Sequence, residues 1–290
     1  MMSRAAHAMS FSRLHRPRPT PSRLATRLAW IASIAAVAAV LLMRILGPSD
    51  LWDQTQPRTI SYTTDMLVND HWMLPTDSGG KPATKPPLYN WIAAPAVALL
   101  GHSSEFAHKL PSIIALVASW MVVVWSGRWI DRWRGDLIGP LAGLMFVSCY
   151  AVSKLGYLAR PDMLLTFFLL MGWACATRLL MMTPPPNTPA GQGEWMAERD
   201  QQAPPQIPRW PLLLAFWLSV GLAALTKGPP AILLIAYALL GGWLLAGSWR
   251  SVGRFGWWWG LPLALAIPGA WLAAAISVDL AHVRDVLWHE

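Results

Sequence analysis

Residues 163–182 read MLLTFFLLMGWACATRLLMM, twenty residues with one charge, Arg178, four positions from the end. A helix crossing the hydrocarbon core of a bilayer needs about 20 mostly apolar residues. Arg178 stands where a long side chain can reach the headgroups, so it is compatible with a span. Just upstream, Leu158-Ala159-Arg160-Pro161-Asp162 puts a cation, a proline and an acid at the mouth of that segment. Comparable apolar runs recur along the chain at 24–47, 110–129, 137–153, 210–226, 229–249 and 255–278. The chain therefore reads as an all-α integral membrane protein with about seven transmembrane helices.

Composition agrees. Of 290 residues, 54% are apolar and 13% charged, against roughly 25% charged in soluble domains. Such a chain is neither an ordinary soluble domain nor a disordered one. The two cysteines, Cys149 and Cys175, lie inside apolar stretches, which excludes a disulfide-stapled scaffold and marks them as inert packing residues. The net charge of +8 is explained by its distribution along the chain, and nucleic acid is not an expected partner.

That distribution sets the expected orientation. Residues 1–23 form a basic Arg/Ser/Pro-rich tail, and 183–209 a Pro-rich linker; both are expected to be cytoplasmic, with no chemistry of their own. With seven spans, fourteen arginines fall on the inner side against five acids, Asp131, Asp136, Glu194, Glu198 and Asp200. The outer side keeps nine basic residues against ten acids. This is the positive-inside pattern, with a cytoplasmic N-terminus. The first run is longer than a signal-peptide core and lacks a clear cleavage site, so it reads as a retained anchor. Counting the shorter, Pro95-containing run 88–101 as a span would invert every later loop, so it is expected to lie at the outer interface.

All five lysines, Lys81, Lys85, Lys109, Lys154 and Lys227, fall outside by this topology. Residues 48–108 make the longest outer loop, while Arg160, Asp162 and Lys227 occupy short outer turns facing it. Charges at span ends carry a functional reading only if they converge. Each also has an ordinary one. Asp53 could cap a following helix, and Lys85, held in Lys85-Pro86-Pro87, could simply snorkel. Arg160-Pro161-Asp162 is a natural helix start, and Lys227 before Gly228-Pro229-Pro230 a natural helix end. His71, His102 and His108 lack metal-ligand spacing and read as surface residues.

Taken in order, Asp53-Gln54, Lys85-Pro86-Pro87-Leu88-Tyr89-Asn90-Trp91, Ala107-His108-Lys109-Leu110-Pro111-Ser112, Leu158-Ala159-Arg160-Pro161-Asp162-Met163-Leu164 and Leu225-Thr226-Lys227-Gly228-Pro229 form a recognisable series. It resembles the bacterial branch of the protein O-mannosyltransferase superfamily, the aminoarabinose (lipid A) transferases above all. The resemblance runs from about residue 24 to the end. It implies a GT-C fold and a glycosyltransferase of the bacterial inner membrane. Such an enzyme moves a sugar from a polyprenyl-phosphate carrier to a glycolipid or protein acceptor on the outer face.

On that resemblance Asp53 is the expected base for the acceptor hydroxyl. Lys85 is the first expected ligand of the carrier phosphate, helped by Arg58 and Lys227, because the leaving phosphate gains negative charge as the glycosidic bond breaks. Asp162 matches a second acidic position that could orient the acceptor or share a divalent ion with Asp53, and Arg160 is an orienting residue. No cofactor is fixed by the residues; two carboxylates alone make a weak metal site, so a divalent ion is left open. Helices over about 58–68 and 88–101 would roof the site, with the lipid tail entering from the bilayer.

Two departures stand out: the family commonly has Asp-Glu where this chain has Asp53-Gln54, and its members usually run to roughly twice this length. The chain is thus expected to be a fragment. Two other classes compete, a truncated or non-catalytic remnant and a multi-pass transporter or flippase. The latter should carry ionisable groups near mid-membrane, and these spans hold almost none.

Overall fold

Helix occurs in each expected span of the computed structural model, which describes residues 22–52, 55–131, 137–181, 208–244 and 252–289. The order is α1 (Arg23–Ile45), α2 (Gln56–Asn69), α3 (Leu88–Leu100), α4 (Glu105–Asp131), α5 (Ile138–Ser148), α6 (Tyr150–Leu155), α7 (Asp162–Met181), α8 (Arg209–Lys227), a 3₁₀ turn (Pro229–Ala231), α9 (Ile232–Leu244), α10 (Trp257–Val278) and α11 (Leu280–His289). Among the described residues the only β pairing is an isolated bridge between Thr76 and Pro82. The basic tail and most of the Pro-rich linker lie outside the described residues, as do Asp53 and Gln54.

Among the described residues five helices, α1, α4, α7, α8 and α10, are long and apolar enough to cross a membrane. The other two expected spans are shorter. Run 137–153 is not one helix: α5 stops at Ser148, Cys149 turns to an extended conformation (φ −66°, ψ 123°), and α6 restarts at Tyr150. Cys149 is accordingly exposed at a break, while Cys175 is buried among packing residues. Run 229–249 opens as a 3₁₀ turn over its prolines, and helix α9 covers Ile232–Leu244. Helix α3, 13 residues with Pro95 inside, is about 20 Å long at 1.5 Å per residue. That is short of the ~30 Å hydrocarbon core.

The helices pack in a row: α1 on α5, α5 on α4, α4 on α7, α7 on α8, and α8 on α10, with α9 against α7. Helices α7 and α8 are central. One apolar cluster joins Cys175, Leu179, Leu212, Phe216, Trp217, Leu234 and Ala264. A second joins Val37, Tyr89, Leu116, Met163, Phe168 and Ala223. Small residues let the helices approach closely, as expected where lipid is as apolar as the protein. A Cβ on Gly260 of α10 would stand 2.0 Å from the Trp217 indole nitrogen of α8. That indole donates to the Phe255 carbonyl at 2.7 Å, so α8 and α10 are locked by one tryptophan in a glycine slot.

The segment between α2 and α3 is tied down on both sides. Asp65 accepts from Asn69, from the Thr76 backbone N–H (2.7 Å) and from the His71 ring (3.0 Å). On the far side the Trp271 indole of α10 donates to the Met73 carbonyl at 3.0 Å. Leu74, Ala275 and Val283 bury one another there.

Candidate functional site

Pro161 precedes Asp162, the first residue of α7, and Gly228 takes a positive φ (75°) just after Lys227, the last residue of α8. The ordinary reading of both motifs is thus structurally right. It is also incomplete, because α7 and α8 are packed antiparallel neighbours and these two ends meet. Lys227 Nζ donates to Asp162 Oδ1 at 2.5 Å, and Arg160 Nε lies 3.0 Å from Asp162 Oδ2. One carboxylate therefore gathers two cations from segments 65 residues apart.

Around that pair is a cavity of about 60 Å³ lined by α2 (Arg58, Thr59, Tyr62), the approach to α3 (Thr84, Lys85, Pro86), α3 itself (Tyr89, Asn90), the Arg160–Asp162 turn and Lys227. Five of the six site residues expected from sequence, Arg58, Lys85, Arg160, Asp162 and Lys227, share it. The sixth, Asp53, lies outside the described residues, although Thr55, two positions on, is part of the lining. The helix cap falls on Thr55.

The four cations are not equivalent. Lys85 is exposed and among the described residues makes no hydrogen bond or ion pair. Arg58 is mostly exposed and faces Asp77 at 3.7 Å. The Asp77 carboxyl is held below the usual range by the Lys81 backbone N–H first, helped by that of Gly79 and by the nearby Arg58 and Lys81 charges, which together outweigh the opposing effect of desolvation. Arg160 and Lys227 are committed to Asp162. The site thus offers two accessible cations above two anchored ones.

Several residues that shape the site carry no motif signal. Buried Tyr89 donates its hydroxyl to the His108 carbonyl (2.9 Å), and Ser112 donates to the Leu158 carbonyl (2.5 Å), which pins the 158–162 turn to α4. Asn90 donates to the Thr59 carbonyl (2.7 Å) and to Thr63 Oγ1 (2.8 Å), joining α3 to α2. The periodic placing of Thr55, Arg58, Thr59 and Tyr62 on one helix face was the available clue. One expectation is corrected: His108 is not a surface residue but buried, its ring nitrogen 3.0 Å from the His102 carbonyl. Among the described residues no group of three His, Cys, Asp or Glu side chains could hold a metal ion.

A family model described as dolichyl-phosphate-mannose-protein mannosyltransferase matches residues 30–283. The chain belongs to that family. Its curated relatives include an undecaprenyl phosphate-α-4-amino-4-deoxy-L-arabinose arabinosyl transferase of Erwinia tasmaniensis, 23% identical over 239 residues. That match covers 82% of this chain and 38% of the relative. The enzyme of the same description from Edwardsiella ictaluri is 25% identical over 245 residues, 83% of this chain and 37% of the relative. Among solved structures, ArnT from Cupriavidus metallidurans bound to undecaprenyl phosphate superposes with a TM-score of 0.66 at 20% identity, covering 89% of this chain and 43% of that one. Its apo form gives 0.67 at 19% identity. This mannosyltransferase-family chain shares that membrane fold and spans less than half the length of the relatives it matches.

Proposed function

We propose that this chain carries the donor-side site of a glycosyltransferase that uses a polyprenyl-phosphate-linked sugar. The observation that supports the reading is the convergence of Arg58, Lys85, Arg160, Asp162 and Lys227 on one cavity at one end of the helix bundle. An acceptor oxygen attacks the anomeric carbon, the bond to the carrier phosphate breaks, and its electron pair stays on that phosphate. Cations fixed where this charge develops lower the barrier. Lys85 and Arg58 are the accessible ones, while Asp162 holds Lys227 and Arg160 behind them. Asp53, two residues before the lining Thr55, takes the proton of the acceptor hydroxyl.

The curated relatives' descriptions favour an undecaprenyl-phosphate-linked aminosugar as donor; the acceptor we propose is a lipid A-like glycolipid, with protein, which the family description names, as the alternative. The arginine-rich loops favour a cytoplasmic N-terminus and a site on the outer face of the bacterial inner membrane. A divalent ion is not part of the reading. Both Asp162 oxygens already face cations, so no step is routed through a metal.

The test is transfer from a synthetic polyprenyl-phosphate aminosugar to lipid A by the purified full-length protein in detergent. The expected result is turnover by the wild type, its abolition in Asp53→Asn with membrane insertion intact, and weakened carrier binding in Lys85→Ala. Wild-type turnover in Asp53→Asn would remove that residue as the base. Absence of transfer to any acceptor, with the carrier bound, would favour the non-catalytic alternative.

A further inference from the structure

Gln56 opens α2 with its side chain wholly buried, a position a polar amide holds only when both its ends are satisfied. Its Nε2 donates to the Asp50 carbonyl at 2.7 Å, and its Oε1 accepts from the Ala159 backbone N–H at 2.8 Å. One side chain thus ties three pieces: the middle of the α1–α2 connection, the first turn of α2, and the residue directly before Arg160.

Asp50 is itself held. Lys109, wholly buried in α4, donates to the Asp50 carboxylate and to Glu105 Oε1 (2.5 Å), with its ammonium 4.4 Å above the Tyr157 ring centre. Arg44, at the end of α1, approaches Asp50 Oδ2 at 3.9 Å and donates to the Lys154 carbonyl at 3.3 Å. A lysine with no exposed surface needs such partners, since an isolated buried charge is prohibitive. None of these groups lines the cavity. They sit behind it, between the wall that carries Arg58 and the wall that carries Arg160 and Asp162.

We infer that Gln56, supported by Lys109 through Asp50, is a positioning residue that sets the distance between these two walls. This inference rests on the glycosyltransferase reading for its catalytic consequence. Arg58 leaves α2 half a turn after Gln56, so a shift of the first turn moves Arg58 relative to the anchored Arg160–Asp162–Lys227 group. In phosphoryl-carrier chemistry the leaving phosphate goes from one negative charge to two. A clamp spaced for the second charge acts mainly on the transition state, and its loss lowers kcat more than it raises KM.

The test uses full-length protein with Gln56→Met, which keeps the volume and removes both hydrogen bonds, and Gln56→Glu, which keeps the acceptor and loses the donor. Lys109→Met and Lys109→Arg form a second pair. The expected result for Gln56→Met is a kcat lower by about 100-fold, the scale of a displacement near 1 Å, with a much smaller change in KM for the carrier-linked sugar. Gln56→Glu falls between, and Lys109→Arg recovers much of what Lys109→Met loses. Hydrogen exchange should speed up in residues 55–60 and stay as in wild type in α7 and α8. Unchanged kcat and exchange in Gln56→Met would overturn the inference. So would a loss of activity accompanied by faster exchange throughout the bundle, which would mark Gln56 as a residue of general stability. If the wild type transfers no sugar, the glycosyltransferase reading falls, and exchange at 55–60 still decides whether Gln56 holds the wall.

Discussion

At one end of the bundle Lys227 and Arg160 share the Asp162 carboxylate, and Lys109 shares Asp50 with Arg44. At the other end Arg178 lies over Trp125 and Trp129, Arg128 lies over Trp30, and Arg209 donates to the Arg254 carbonyl. Both ends carry cations at helix termini; among the contacts described, those at the first end include carboxylates and those at the second include indole faces and a backbone carbonyl. Carboxylates fix a cation at a point and leave neighbouring cations to face a cavity. Indole faces attract a cation without neutralising it, and its charge still counts toward orientation across the bilayer. The difference fits the proposed function, because the end with the carboxylates is the one where five charged residues converge on a cavity.

The strongest test of that contrast is Asp162→Asn against Arg178→Met. Removing the Asp162 charge leaves Lys227 and Arg160 close together with no anion between them, so both should splay. Loss of such preorganised charge costs roughly 100- to 1,000-fold in kcat. Arg178→Met should leave kcat unchanged, costing about 0.5–2 kcal/mol per lost cation–π contact in thermal unfolding in detergent. Equal kinetic effects from the two variants would erase the distinction.

Within the acidic end, Lys85 and Arg58 can be ranked. Lys85 has no partner among the described residues, whereas Arg58 faces Asp77. Lys85→Ala should therefore weaken polyprenyl-phosphate binding more than Arg58→Ala, by about tenfold for each 1.4 kcal/mol lost. Asp77→Asn releases Arg58 and should strengthen binding slightly, measured by titration with the carrier lipid. The opposite ranking would make Arg58 the principal phosphate ligand.

Between the ends, Gly260→Ala tests the packing that keeps them apart. The added methyl would press on the Trp217 indole, and overpacking of this kind costs about 1–3 kcal/mol. A lower unfolding temperature with nearly normal kcat is expected, because α10 contributes no residue to the cavity lining.

Much of this contrast was legible in the sequence. Spans announce themselves by unbroken apolar runs, and once their number is odd or even the side of every charge follows, which is how Lys85, Asp162 and Lys227 could be grouped before any contact was known. What stayed hidden was everything set by a tertiary partner. Lys109 and Asp50 are 59 residues apart, and nothing local marks either as paired. Gln56 and His108 look like surface residues because polarity is read locally, whereas burial depends on who supplies the second hydrogen bond. The break at Cys149 is silent too, since an extended residue between two apolar helices leaves composition unchanged.

The smallest predicted effect concerns the loop that carries Lys85. Burial alone would raise the Asp65 carboxyl, but hydrogen bonds from Asn69, the Thr76 backbone and His71 outweigh it and hold Asp65 below the usual value. A group depressed in the folded state contributes stability that is present above its unfolded pKa, about 3.9, and is lost as pH falls through the lower folded value. The loop should therefore stay ordered at neutral pH and loosen only below about pH 4. Asp65→Asn removes that dependence and weakens the tie to Thr76 at every pH. Proteolysis of residues 70–84 should then be faster at neutral pH and nearly flat with acidification, whereas the wild type should be protected at neutral pH and cut faster in acid. A wild-type loop equally resistant at pH 3 and pH 7 would show that the tryptophan contact from α10 holds it, and that the acidic end does not depend on this carboxylate for its order.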